Sequence, residues 1–171
     1  MKTAKVAIVM GSDSDLEVAG KAAEVLERFK IPFEVRVMSA HRSPEKVWEF
    51  ASRARENGFE VIIAVAGGAA HLAGVIAGAT TLPVIGIPVA TDLAGGLDSL
   101  LSTVQMPSGV PVLAVATGSG GAPNAALAAV RILSLSDTRL AAELDEYRAG
   151  LARTVDGKDA KVKAQFGKGG S

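Results

Sequence analysis

Five short apolar runs punctuate the chain: KVAIVM at 5–10, FEVRVM at 33–38, VIIAVA at 61–66, PVIGIPV at 83–89 and PVLAVA at 111–116. Most are continuous and rich in β-branched residues, the pattern of strands buried on both faces of a sheet. The second run alternates, with Glu34 and Arg36 between apolar residues, and suits an edge strand. Between the runs the period changes to that of helices. Leu16, Ala19, Ala23, Leu26 and Phe29 form one apolar face, with Ser14 and Glu17 spaced as a capping box. Val47, Phe50, Ala51 and Ala54 form a second face. It starts at Ser43-Pro44, an N-cap with proline in the first helical position, and stops at Asn57-Gly58. Residues 70–80 and 122–135 read as small-residue helices, and 137–153 as a charged amphipathic one.

Strand–helix alternation without a long repeat predicts a three-layer α/β fold with a doubly wound parallel sheet. The strand order expected is flavodoxin-like, 2-1-3-4-5, with a C-terminal helix. A length of 171 residues fits one domain, placed at 1–155. The Lys- and Gly-rich segment 156–171, which lacks periodicity, is expected to be a flexible tail.

Charge alters this picture in one place. Eighteen basic and eighteen acidic side chains cancel, which supports neither nucleic acid nor an anionic membrane as partner. The cancellation conceals a stretch, Val61 to Val130, whose only charged residues are Asp92 and Asp98. An outer helix face of a monomer needs polar residues about once per turn. Such a stretch therefore lies in lipid or under another subunit. Gly67, Gly68, Gly74, Gly78, Pro83, Gly86 and Pro88 break it into strand-sized and helix-sized pieces, which argues against a membrane span. No cysteine is present, so disulfides and thiolate chemistry are excluded. The apolar run at 6–10 is too short for a signal-peptide core, and a cytoplasmic location is expected.

Ligands of doubly wound sheets sit beyond the carboxyl ends of the strands, where the strand order reverses. Three loops fall there. Gly11-Ser12-Asp13-Ser14-Asp15 follows the first strand; its hydroxyls and helix-start amides suit an anion, and Asp15 suits sugar hydroxyls. Ser39-Ala40-His41-Arg42-Ser43-Pro44 follows the second; Arg42 offers a forked cation for phosphate and His41 a general acid or base. Gly67-Gly68-Ala69-Ala70-His71-Leu72 follows the third, and its bare amides suit a small carboxylate. His71, among small apolar residues, reads as a buried structural histidine rather than a second catalyst. Two further segments are ambiguous. Asp98 to Pro107 carries polar groups in an apolar region, where Asp98 would cap a helix, complete a site or bridge subunits. Gly118 to Asn124 would cap a helix or contact ligand. There is no GxGxxG, Walker lysine, metal-ligand spacing or nucleophile elbow.

The segments GSDSD, SAHRSP, AGGAAHLAG, TLPVIGIPV, DSLLSTVQMPSGVPV and the helix start at Asn124 resemble, in that order, the class I N5-carboxyaminoimidazole ribonucleotide mutases of bacterial purine biosynthesis. The resemblance spans about Lys5 to Arg148. It implies an isomerase that moves the substrate's carboxylate from N5 to C4 in a closed pocket, through loss and recapture of CO2, with a histidine relaying the proton. It implies no metal or organic cofactor, and a homo-octamer. His41 matches the family's catalytic histidine. Ser12, Asp15 and Arg42 match its substrate-binding positions, with Gly11, Ser14, Ser39 and Ala40 beside them. Gly68, Ala69, Ala70, His71 and Leu72 match the carboxylate pocket. The sequence departs from the usual pattern at Ala73, normally Pro, at Thr103, normally Ile, and in a looser loop at Thr117 to Gly121. Relatives that carboxylate aminoimidazole ribonucleotide directly usually carry Lys at the Arg42 position. A direct carboxylase and a non-catalytic nucleotide-binding module are the alternative readings.

Overall fold

A computed structural model describes residues 5–167. Five parallel strands, β1 (Val6–Met10), β2 (Phe33–Val37), β3 (Val61–Ala66), β4 (Val84–Pro88) and β5 (Leu113–Ala114), lie in the order β2-β1-β3-β4-β5. The expected topology is therefore the observed one. Every residue of β1 and β4 is buried, and so is all of β3 but Ala66; β2 is half-exposed at the edge, as its alternation requires.

The pleat divides the core into two. Val6, Ile8, Val61, Ile63, Val65, Ile85 and Ile87 face helices α1 (Leu16–Arg28) and α5 (Ala122–Ser134), with α6 (Thr138–Phe166) packed over α5. Ala7, Val9, Ile62, Ala64 and Val84 face α2 (Pro44–Arg53) and α3 (Leu72–Ala79). Helix α4 (Leu97–Val104) sits against β4 and β5. Its seat depends on Gly86. A Cβ there would come within 2.4 Å of the Thr103 methyl and 3.3 Å of Ala73 Cβ. The Thr103 hydroxyl donates 2.8 Å to the Ser99 carbonyl, which satisfies it where it is buried. Two of the departures from the family pattern, Ala73 and Thr103, thus lie in this seam between α3, β4 and α4, while the third, the loop from Thr117 to Gly121, precedes α5.

Three local expectations are corrected. Leu16 is 57% exposed and Val18 and Ala22 take its place inside, because a 3-10 turn at Asp13–Asp15 rotates the start of α1. The same turn displaces the capping box: the Ser12 hydroxyl, not that of Ser14, accepts an amide bond, from Ser14 at 3.3 Å. Ser43 stands before α2 without capping it; its hydroxyl instead accepts from the Ser39 amide (3.1 Å) and donates to the Ser39 carbonyl (3.2 Å), closing the loop after β2. The last helix also runs beyond 153, to Phe166. Asp137 caps it through the Arg139 and Leu140 amides, and an Asp159–Lys163 pair at 2.7 Å supports the distal turns. Part of the expected tail, 156–166, is therefore helical; residues 168–171 lie outside the described residues.

Candidate active site

The carboxyl ends of β1, β2, β3 and β4 open onto one cleft of about 750 Å³. Its walls include Gly11, Ser12, Ser14 and Asp15 from the first loop, Ser39, Ala40, His41 and Arg42 from the second, and Ala69 and Leu72 from the third. Ten of the thirteen residues expected at the site therefore line a single cavity. Gly68 and Ala70 lie in the backbone behind that wall, with the Ala70 side chain buried.

The second loop is held from within. The Ser39 hydroxyl accepts from the Arg42 amide (3.2 Å), and the Arg42 guanidinium donates across the cleft to the Gly11 carbonyl (3.2 Å). Arg42 thereby ties the first loop to the second while leaving guanidinium donors for a ligand.

His71 does not take the buried place expected of it. Its ring is exposed, and its Nδ1 lies 2.9 Å from Nε2 of His41, with the two rings edge to face at 5.0 Å. One nitrogen of the pair donates and the other accepts. Local composition pointed inward, but the third loop turns at Gly68, where φ is +64°, and projects the following residues toward the second loop. The two histidines of the chain thus meet across thirty residues of sequence.

Asp15 is 9% exposed at the cleft floor. Burial raises its carboxyl above the ordinary 3.8, against hydrogen bonds from Ser14 and Ser12 that pull it down. A raised carboxyl makes the folded state bind more protons than the unfolded one above that ordinary value. Stability then falls as pH rises through the window above 3.8, and the cost persists at neutrality. Asp15→Asn is expected to raise the melting temperature of the ligand-free protein at pH 7, with the gain shrinking toward pH 4, and to weaken substrate binding. A lower melting temperature at pH 7 would contradict this role of burial.

Sequence reasoning missed the fourth wall. Val89, Ala90 and Thr91, after β4, also line the cleft, as do Ala66 and Gly67. Thr91 donates 2.6 Å to Asp98, and this bond, more than the Ser99 amide at 2.9 Å, holds the Asp98 carboxyl below its usual range. Asp98 therefore belongs to a network behind the cleft. Gly118 to Asn124 does not reach it: a Cβ at Gly121 would lie 1.7 Å from the Ala116 carbonyl oxygen, so this turn serves close packing at the start of α5.

Among the described residues no helix is long and apolar enough to cross a membrane. The site is a neutral small-residue pocket with one cationic fork, one buried carboxyl and a paired imidazole at its rim. That set can bind a sugar phosphate and move a proton beside a carboxylate.

Comparison with known proteins points the same way. The family model described as AIR carboxylase matches residues 5–154. The N5-carboxyaminoimidazole ribonucleotide mutase of Pyrococcus horikoshii is 51% identical over 165 residues, covering 95% of this chain and 92% of the relative. That of Mycobacterium tuberculosis is 53% identical over 164 residues, covering 96% and 93%. A crystal structure of Treponema denticola PurE superposes with a TM-score of 0.83 at 32% identity, covering 92% of this chain and 98% of the other.

Proposed function

The chain belongs to the AIR carboxylase family, and we infer from that premise that it is an N5-carboxyaminoimidazole ribonucleotide mutase, an isomerase of purine biosynthesis. The observation that carries the reaction onto this chain is the placing of His41 in the lining of the cleft that Ala69 and Leu72 of the loop after β3 also line, with its Nε2 2.9 Å from Nδ1 of His71 in that loop. In the reaction the N5–carboxyl bond breaks, a C4–carboxyl bond forms, N5 gains a proton and C4 loses one. A single imidazole can serve both proton transfers if the one-carbon unit stays enclosed.

The site roles follow from chemistry. Arg42, Ser12, Ser14 and Ser39 bind the 5′-phosphate through charge-assisted bonds. Asp15 accepts from the ribose hydroxyls. Gly11 and Ala40 let the chain approach the nucleotide closely. The third loop holds the migrating carboxylate where Ala69 and Leu72 line the cleft, because the Gly68, Ala70 and His71 amides are taken up by Ser99 and by the Gly68 and Ala69 carbonyls, and His41 relays the proton. Purified protein assayed spectroscopically should convert the N5-carboxylated nucleotide directly. Turnover only with aminoimidazole ribonucleotide plus bicarbonate would favour the direct carboxylase, and tight binding without turnover the sensing module.

The uncharged stretch supports a second reading, a homo-oligomer, with an octamer as the expected size. Leu93, Leu97, Leu101, Val104 and Leu113 are each 45% exposed or more and cluster on α4 and its flanks. Apolar patches of this kind mark interfaces, and closed symmetric assemblies cover them. Leu101→Lys is expected to shift light-scattering mass toward smaller species; a wild-type monomer at micromolar concentration would refute the assembly.

A further inference from the structure

Helix α4 carries two serines that neither a phosphate nor a proton relay requires, and both close on one residue of the third loop, one on each of the peptides that flank it. The Gly68 amide donates 2.8 Å to Ser99 Oγ, and Ser102 Oγ donates 3.3 Å to the Gly68 carbonyl. Ser99 is fully buried. The grip is anchored in turn. Asp98 accepts from the Ser99 amide and from Thr91 in the cleft wall, and Thr103 ties to the Ser99 carbonyl while its methyl fills the space over Gly86. Gly68 holds φ at +64°, which glycine adopts as readily as a negative φ, so the residue alone does not hold the turn in place. Its own amide is consumed by Ser99, while Gly67 and Ala69 on either side line the cleft.

We propose that Ser99 and Ser102 are positioning residues for the carboxylate transfer: together they fix the two peptide planes that meet at Gly68, one on each side of its Cα, and with them the direction of the Ala69 amide toward the migrating carboxylate. This rests on the mutase reading. Both serines act through the loop and touch no phosphate-binding group. They therefore govern the transfer step rather than nucleotide affinity. A loop whose peptide is free to rotate holds the one-carbon unit less firmly, and more of it escapes from the cleft.

The test compares Ser99→Ala, Ser102→Ala, Ser102→Thr and Leu133→Val with the wild type, measuring kcat, KM, melting temperature and the decarboxylated nucleotide released per product formed. Each alanine variant is expected to lose roughly ten-fold in kcat, with KM within two-fold, and to release more decarboxylated nucleotide. Ser102→Thr keeps the hydroxyl and restores both. Leu133→Val thins the core under α5, on the other face of the sheet from α4 and the loop; it lowers the melting temperature and leaves kcat unchanged. Should Ser99→Ala not fold, the half-buried Ser102 pair carries the comparison. Wild-type kcat in the alanine variants, a rise confined to KM, or losses that follow melting temperature in all variants including Leu133→Val would overturn the proposal. An inactive wild type would sink the mutase reading instead. The grip is then judged by hydrogen exchange: the Gly68 amide is expected to be protected in the wild type and to lose that protection in Ser99→Ala, and an unprotected wild-type amide would overturn it.

Discussion

His41→Asn is expected to lower kcat for isomerisation by roughly 10²- to 10⁴-fold, the usual contribution of a positioned acid–base group, while nucleotide affinity changes little. The reason lies in what the substitution keeps. Asparagine is close to imidazole in reach and can still bond His71, which lies 2.9 Å from His41. The loop closure by Ser39 and Ser43 and the Arg42 tie to Gly11 do not involve the imidazole. What disappears is a group able to give a proton to N5 and take one from C4 near neutral pH. Turnover by the absorbance of the product and binding by calorimetry separate the two effects. A fully active His41→Asn enzyme would remove His41 from the chemistry, whereas loss of binding together with turnover would make it a structural residue. His71→Asn removes the partner and leaves the relay, so its loss should be smaller.

The order in which these features became visible follows the physics of each. Continuous apolar runs identify strands covered on both faces, because nothing else buries every residue of β1 and β4. Once five such strands alternate with helices, the right-handed crossover leaves few topologies, and the reversal of order beside β1 locates the loops. Asp15, His41 and Arg42 were legible for that reason. His71 was not: its neighbours in sequence are small and apolar, and only the turn at Gly68 aims it at the second loop. The wall from Val89 to Thr91 carries no charge and no motif, so only the strand order betrays it. Ser99 and Ser102 were noticed as polar groups in an apolar region, yet their target is thirty-one and thirty-four residues away. Pairings of that range are a product of packing. The extension of α6 to Phe166 shows the converse case. Its distal turns pack on nothing and are carried by helix propensity and local pairs such as Asp159–Lys163, which an apolar period cannot reveal.

Arg42→Met should raise KM for the nucleotide by roughly 10- to 150-fold, equivalent to about 1.5–3 kcal/mol for a hydrogen bond to a charged group, with kcat reduced far less. Formal charge over the whole chain is zero, so no overall field draws a phosphate to the cleft. Among the residues lining it, Arg42 is the sole lysine or arginine, and Asp15 on the floor opposes an anion when ionised. The affinity for phosphate must therefore come from this one guanidinium and the hydroxyls and amides around it. Methionine retains much of the side chain's length and apolar stem, which limits the change to the charge and the Gly11 tie. Arg42→Lys restores a point charge without the fork and should fall between the two. If one local charge carries the interaction, rising ionic strength should increase KM for the wild type and have little effect on Arg42→Met. Equal salt sensitivity in both proteins, or a KM left unchanged by the substitution, would place the phosphate elsewhere in the cleft.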